Sequence, residues 1–249
     1  MPPQAIFFDL EGTLVQVKVD DSKVVEFLKA ELRRRDPEGE AAFEMAHGLA
    51  ETLSQAEGKV DRSAMQEIRD SVSSKLAEAE KASAASAKAR KDANAAISSL
   101  QGRGIKAWAI TSLSAQGAKE VLRQTSLEEI VSVAASRDDS MDVAGRIAAA
   151  LEKTGSKPDG VILVADSPLD VAAARSAGLR CFAVFSPEVP VNRILESKPD
   201  ALLYSIGELG DTLLFFEGKE QSMPAKPEPE QGASQAGSAS GATHAVGGP

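Results

Sequence analysis

The stretch Ile6-Phe7-Phe8-Asp9-Leu10-Glu11-Gly12-Thr13-Leu14 (IFFDLEGTL) decides how the rest of the chain is read. An apolar run meets an aspartate, a second carboxylate follows two residues later, and Gly-Thr then turns the chain. A short continuous apolar run is the pattern of a strand buried on both faces. Its carboxylates then stand at the carboxyl end of the strand, and in an open parallel sheet ligands bind outside that end.

Further runs of the same kind are IKAWAIT from Ile105, IVSVAA from Ile130, VILVAD from Val161, CFAVF from Cys181 and ALLY from Ala201, with AIFFD from Ala5 as the first. Helical patterns lie between most of them. AQGAKEVLRQ follows the second strand. MDVAGRIAAALEKTG follows the third and stops at Gly155, and SPLDVAAARSAG follows the fourth and stops at Gly178. Strands alternating with helices predict a parallel sheet covered on both faces, with right-handed connections.

From about Asp21 to Ala85 the pattern changes. Val24, Phe27, Leu28 and Leu32 recur at helical spacing, as do Phe43, Ala46, Ala50 and Leu53, and then Met65, Ile68, Val72, Leu76 and Ala79. Pro37-Glu38-Gly39 and Gly58 punctuate these helices. The reading is a small helical domain inserted after the first strand. KASAASAK from Lys81 is a hinge or a helical turn, and ARKDANAAISSLQ re-enters the sheet domain as a helix ending at Gly102 and Gly104. The expected organisation is a core formed by residues 1–18 and 86–218, a helical cap over 19–85 and a disordered tail over 219–249. That tail, MPAKPEPEQGASQAGSASGATHAVGGP from Met223, has too few apolar residues to offset the entropy of ordering.

Composition narrows the function classes. A formal net charge of -9 argues against a broad nucleic-acid footprint, although one cationic pocket can still take a small phosphorylated ligand. The single cysteine, Cys181, lies in an apolar run and reads as a buried structural thiol. An apolar leader and a membrane-length apolar stretch are both missing, so the expectation is a soluble cytoplasmic protein that does not engage a membrane. Trp108 reads as core. His47 reads as a surface residue of the cap, with a substrate contact as the alternative, and His244 falls in the tail. Two distant histidines make neither a triad nor a zinc site. A dinucleotide fingerprint and a P-loop are likewise missing. Oligomeric state is not legible.

Polar residues gather on one sheet edge. Asp9 ends the first strand, Thr111 and Ser112 the second, Ser136 and Arg137 follow the third, and Asp166 ends the fourth with Asp170 four residues on. Asp166 alone could simply cap the helix after it. Clustered carboxylates repel one another and call for a cation, and hard oxygen donors suit magnesium.

These residues resemble the haloacid dehalogenase superfamily over residues about 4 to 216. Asp9-Leu10-Glu11-Gly12-Thr13 is similar to the family's Asp-x-Asp-Gly-Thr, Thr111 to the hydroxyl that ends its second motif strand, and Ala165-Asp166-Ser167-Pro168-Leu169-Asp170 to its Gly-Asp-Ser-x-x-Asp. The helical insert resembles the family's C1 cap. The resemblance implies a Rossmann-like α/β core, with Asp9 as nucleophile and magnesium ligand. Glu11 would be the acid/base residue with its backbone carbonyl on the metal. Thr111, with Ser112 beside it, would bind phosphate, and Asp166 and Asp170 would hold Mg2+.

Two departures stand out. Glu11 replaces the usual Asp, a change also found in the Asp-x-Glu-Gly-Thr of the enolase-phosphatase branch; the Thr that follows there is Leu14 here, so that substrate is not carried over. The family also places a Lys near the start of the helix after the third strand. The corresponding position falls near Met141, and SRDDSMD contains no Lys. Arg137 is the nearest cation. It either replaces the Lys or is a solvated partner of Asp138 or Asp139.

The expected function is Mg2+-dependent hydrolysis of a small phosphorylated metabolite, a phosphomonoester, through an aspartyl-phosphate. The alternative is a protein of the same fold with weak or lost catalysis that binds a ligand or partner. A dehalogenase fits less well, because Glu11 and the second metal-side Asp are phosphatase-like.

Overall fold

The computed structural model describes residues 2–46, 48–187 and 189–222, apart from the side chains of 48, 50, 51, 54 and 219–222. The chain begins with strand β1 (Ala5–Asp9) and a two-residue strand β2 (Val15–Gln16). Four helices follow: α1 (Ser22–Arg35), α2 (Glu40–Met45), α3 (Gly48–Ala56) and α4 (Arg62–Ala84). Strand β3 (Lys88–Ala89) and helix α5 (Ala93–Gly102) lead back to the sheet. There β4 (Lys106–Ile110), α6 (Ala115–Gln124), β5 (Ser132–Ala135), α7 (Val143–Thr154), β6 (Val161–Ala165) and α8 (Pro168–Ser176) alternate. The described chain ends with β7 (Arg180–Val184), α9 (Val191–Glu196), β8 (Ala201–Leu203) and α10 (Leu209–Ser222).

Six strands hydrogen-bond in the order β5-β4-β1-β6-β7-β8, every pair parallel. β1 lies inside the sheet. Ala5 to Asp9 pair with Lys106 to Ile110 on one side, and Ala5 to Phe8 with Val161 to Val164 on the other. Successive side chains of a strand point to opposite faces. Ile6 and Phe8 accordingly join a cluster with Ile97, Leu100, Val121 and Leu213, from helices α5, α6 and α10. Ala5 and Phe7 join a second cluster with Ile147, Ala150, Val171 and Ala174, from α7 and α8. Helices on both faces bury β1 completely up to Asp9, and each of its two Phe rings contributes about 1.5–3 kcal/mol by leaving water.

The six strands expected from the sequence are all present, and the sheet is the mixed α/β Rossmann-like fold anticipated. Gly155, at φ +63°, ends α7 as a left-handed C-terminal stop. Every described element between residues 22 and 84 is a helix, and these helices have a hydrophobic cluster of their own built from Val24, Leu28, Leu32, Phe43, Ile68 and Val72. Helix α4 packs on α6 of the sheet domain.

Some details differ from the expectation. Of KASAASAK, the first four residues are the last turn of α4, whereas Lys88 joins Ala89 in pairing antiparallel with Val15-Gln16, which the sequence did not signal because each strand is only two residues long. Helix α10 runs to Ser222, and residues 223–249, with His244 among them, lie outside the described residues, as does His47. Trp108 is half-buried against the second cluster. Cys181 is fully buried, and burial pushes its thiol pKa well up. Among the described residues no helix is long and apolar enough to cross a membrane.

Candidate active site

After Asp9 the chain folds back on itself. Leu10 N–H donates to Ile110 O at 3.1 Å, which continues the β1–β4 ladder past Asp9, and the N–H groups of Leu14 and Val15 both return to Leu10 O. Gly12 makes this loop workable. Its φ is +78°, and a Cβ there would stand 2.1 Å from Asp166 Oδ2. The carboxylate at the end of β6 is thus packed directly against the loop that follows β1.

Glu11 reaches across to the end of β4. Its carboxylate accepts from Thr111 Oγ1 at 2.6 Å, from Ser112 N at 3.1 Å and from Ser112 Oγ. Thr111 is itself fixed: its N–H donates to Ala135 O, and its hydroxyl accepts from Leu113 N at 3.0 Å. The two residues expected to hold phosphate therefore present their donors to the extra length of the Glu side chain.

Asp170 sits in the first turn of α8. Ser167 caps that helix by accepting from Asp170 N at 3.1 Å, and its hydroxyl donates to the Asp170 carboxylate. Burial pushes the Asp170 pKa up to about 6, against the lowering effects of the Ser167 hydrogen bond and the Arg146 charge. Asp9 lies well above the ordinary carboxylate range, first because it is buried and then because Asp170, Glu11 and Asp166 surround it.

Arg137 lines the same cavity as Asp9 but is not a solvated partner of its acidic neighbours. Its guanidinium is buried and paired with Glu80 of α4, and it also donates to Ser112 O at 2.9 Å and Ser73 O at 3.3 Å. Glu80 is 2% exposed and also accepts from Ser114 N and from Ser114 Oγ at 2.7 Å. A buried carboxylate needs a charged partner, and Arg137 supplies it. Asp138 instead accepts from Ala115 N, and Asp139 from Lys153 Nζ at 2.6 Å.

The cation that lowers the pKa values of Asp9 and Asp170 is Arg146, which the sequence reading passed over. It lies in the first turn of α7, is 7% exposed, and donates through Nη1 to Met141 O at 2.8 Å and Ser140 O at 3.2 Å. Its Nε is buried with no hydrogen-bond partner. A signal was present. Asp142 caps α7 by accepting from Gly145 N at 2.7 Å, so the helix starts at Val143 and Arg146 shares a buried face with Ile147 and Ala150. An arginine on an apolar stripe is rarely there for packing alone.

Asp9, Glu11, Ser112, Arg137, Arg146, Asp166 and Asp170 line one cavity of about 800 Å³ between the sheet edge and the helical insert. Thr111 stands behind it, fully buried, and reaches it through Glu11. Among the described residues no three His, Cys, Asp or Glu side chains are arranged to hold an ion by themselves. Magnesium does not need that, because it takes one or two carboxylates and completes its shell with water, backbone carbonyls and substrate oxygens. The donor set fits. Half-buried Asp9 and Asp170 repel each other against the opposing charge of Arg146, so a hard divalent cation would relieve both.

Residues 6–184 match the model of the haloacid dehalogenase-like hydrolases. The chain belongs to that family. Its relative "Putative pyrophosphatase PpaX" of Caldanaerobacter subterraneus subsp. tengcongensis is 29% identical over 137 residues, 54% of this chain and 61% of the relative. The chain thus aligns with less than two thirds of that protein. Solved structures of similar fold include a haloacid dehalogenase-like family hydrolase from Streptococcus pneumoniae, at 18% identity and TM-score 0.56, with 86% of this chain and 98% of that one covered. CbbY from Rhodobacter sphaeroides, solved in complex with phosphate, gives 20% identity and TM-score 0.52, covering 84% and 96%. A predicted phosphoglycolate phosphatase from Haemophilus somnus gives 16% identity and TM-score 0.53, covering 84% and 97%.

Proposed function

We propose that this haloacid dehalogenase-like protein is a Mg2+-dependent phosphatase of small phosphomonoesters, with residues 19–85 acting as a cap over the site. The observation that carries the reading is the crowding of carboxylates on Asp9, which Asp170, Glu11 and Asp166 all push up while the Arg146 charge opposes them. A bound Mg2+, held by Asp9, Asp166 or Asp170 and the Glu11 carbonyl, would neutralise carboxylates and phosphate alike.

Asp9 is the nucleophile. A carboxylate oxygen forms a bond to phosphorus as the ester P–O bond breaks, and Glu11 gives its proton to the departing alkoxide. Glu11 then takes a proton from water, the water oxygen attacks phosphorus, and the Asp9 carboxylate leaves with inorganic phosphate released. Arg146 favours the ionised form of Asp9 that attack requires. Thr111 and Ser112 bind phosphate oxygens after Glu11 lets go of them. The same exchange turns the Glu11 carboxyl toward the leaving group, so substrate entry and proton delivery are one movement.

A second reading, a binding protein with little or no turnover, is favoured by one observation: Glu11 already occupies the donors a phosphate needs. Phosphate release from a panel of phosphomonoesters, with and without Mg2+, separates the two. Turnover that needs Mg2+ and disappears in Asp9→Asn is the expected result. Release from the wild type no faster than from folded Asp9→Asn across the panel would favour the binding protein.

A further inference from the structure

We infer, resting on the phosphatase reading, that the leaving group this site accepts is apolar and uncharged, rather than anionic or sugar-like. The cavity has a mixed lining. One set of lining residues is the carboxylates and Arg146. The other is Val19, Leu49, Leu53, Leu76, Met141 and Leu169, drawn from the segment after β2, helices α3 and α4, the turn before α7 and the start of α8. At about 800 Å³ the cavity has far more room than a phosphate fills, so its apolar side chains are left for the rest of the ester to meet.

The charges lining the cavity do not suit a second anion. Arg137 is neutralised by Glu80, and Arg146, whose charge favours the ionised forms of Asp9 and Asp170, donates to Ser140 O and Met141 O. Lys18 is the other cation lining the cavity, and it is exposed, while Asp21 and Asp142 share the same lining. A pyrophosphate or phosphoglycolate leaving group would bring a phosphate or carboxylate among leucines. A sugar would bring hydroxyls to a wall with few polar partners, since Ser112, Ser167 and Asp142 are hydrogen-bonded to Glu11, Asp170 and Gly145. Burying unpaired polar groups is costly, whereas each methylene buried is favourable. Leu169 makes the same point from the mouth of the cavity. It is 69% exposed, a large apolar side chain next to Asp170, and an apolar leaving group would cover it.

The test is the initial rate of phosphate release by the full chain with Mg2+. The substrates are ethyl, butyl and hexyl phosphate, glucose 6-phosphate, phosphoglycolate and pyrophosphate. The expected kcat/KM rises along the alkyl series by roughly fourfold per methylene, the factor that burying a methylene supplies. Hexyl phosphate then exceeds the polar esters by about tenfold or more. Leu169→Ser, a surface change that leaves the fold alone, is expected to flatten that rise. A flat alkyl series, or faster hydrolysis of glucose 6-phosphate, phosphoglycolate or pyrophosphate, overturns the inference and leaves the phosphatase standing. Release from none of the compounds overturns both.

Discussion

Glu80 and Arg137 face each other across the seam between α4 and the sheet domain, and both side chains are almost completely buried. Ser114 ties the carboxylate to the start of α6, and Ser73 ties the guanidinium back to α4. The seam is therefore closed by charge as well as by packing. Removing one member leaves the other buried and unpaired. Arg137→Met or Glu80→Gln is expected to cost about 3–5 kcal/mol in urea denaturation, and the double change Glu80→Leu with Arg137→Met much less. A double variant as weak as the sum of the singles would mean the pair carries no coupling.

Glu11 holds donors that phosphate would use, so its removal should affect binding and turnover in opposite directions. Glu11→Ala is expected to bind inorganic phosphate roughly tenfold more tightly by calorimetry, since about one net hydrogen bond's worth of competition is gone. The same variant should release phosphate from alkyl esters roughly 10²–10⁴-fold more slowly, because no group protonates the leaving oxygen. If phosphate affinity falls instead, the Glu11 contacts with Thr111 and Ser112 do not compete with it.

Arg146 is expected to matter to chemistry more than to folding. Arg146→Met should lower kcat by roughly 10²–10³-fold, the scale for losing a charge aimed at a developing anion. Arg146→Lys should recover part of this, being a compact ammonium in the same turn. Circular dichroism of both variants should match the wild type. Equal loss in Met and Lys variants would place the importance of Arg146 in its hydrogen bonds to Ser140 and Met141 instead.

Asp170 gives a pH dependence of definite sign. Its pKa is raised from 3.8 to about 6 in the folded chain, so between those values the folded state binds more protons than the unfolded one. Its contribution to stability grows as pH falls through that window and is unfavourable above it. In chelator, Asp170→Asn should therefore stabilise the protein by about 1–3 kcal/mol at pH 7.5, and the gain should shrink toward zero near pH 4. Thermal melts of both proteins at the two pH values test it. A gain that does not vary with pH would show that the carboxylate is not strained by burial.

Most of the sheet could be read from the chain because buried parallel strands are continuous apolar runs, and AIFFD and VILVAD have no competing helical pattern. The edge residues Asp9, Thr111 and Asp166 were legible because they end such runs, and Asp170 because it follows Asp166 by four residues. Glu80 and Arg146 were not. Each lies on an apolar helical stripe, Ile68-Val72-Leu76-Glu80 and Ile147-Ala150 with Arg146, where a charged residue looks like an interruption until its partner from a distant segment is known. Arg137 was placed on the correct edge, but its partner is 57 residues earlier in the chain, a separation over which sequence spacing says nothing.

The short pairing of Val15-Gln16 with Lys88-Ala89 brings the two ends of the helical segment side by side. Antiparallel partners stand only about 5 Å apart, a gap that a two-residue turn can bridge. The sheet's connectivity is therefore indifferent to what is spliced in at that point. A lineage could exchange the excursion by a single in-frame event and keep the strand order, provided the incoming segment supplies a carboxylate for Arg137 where Glu80 now stands.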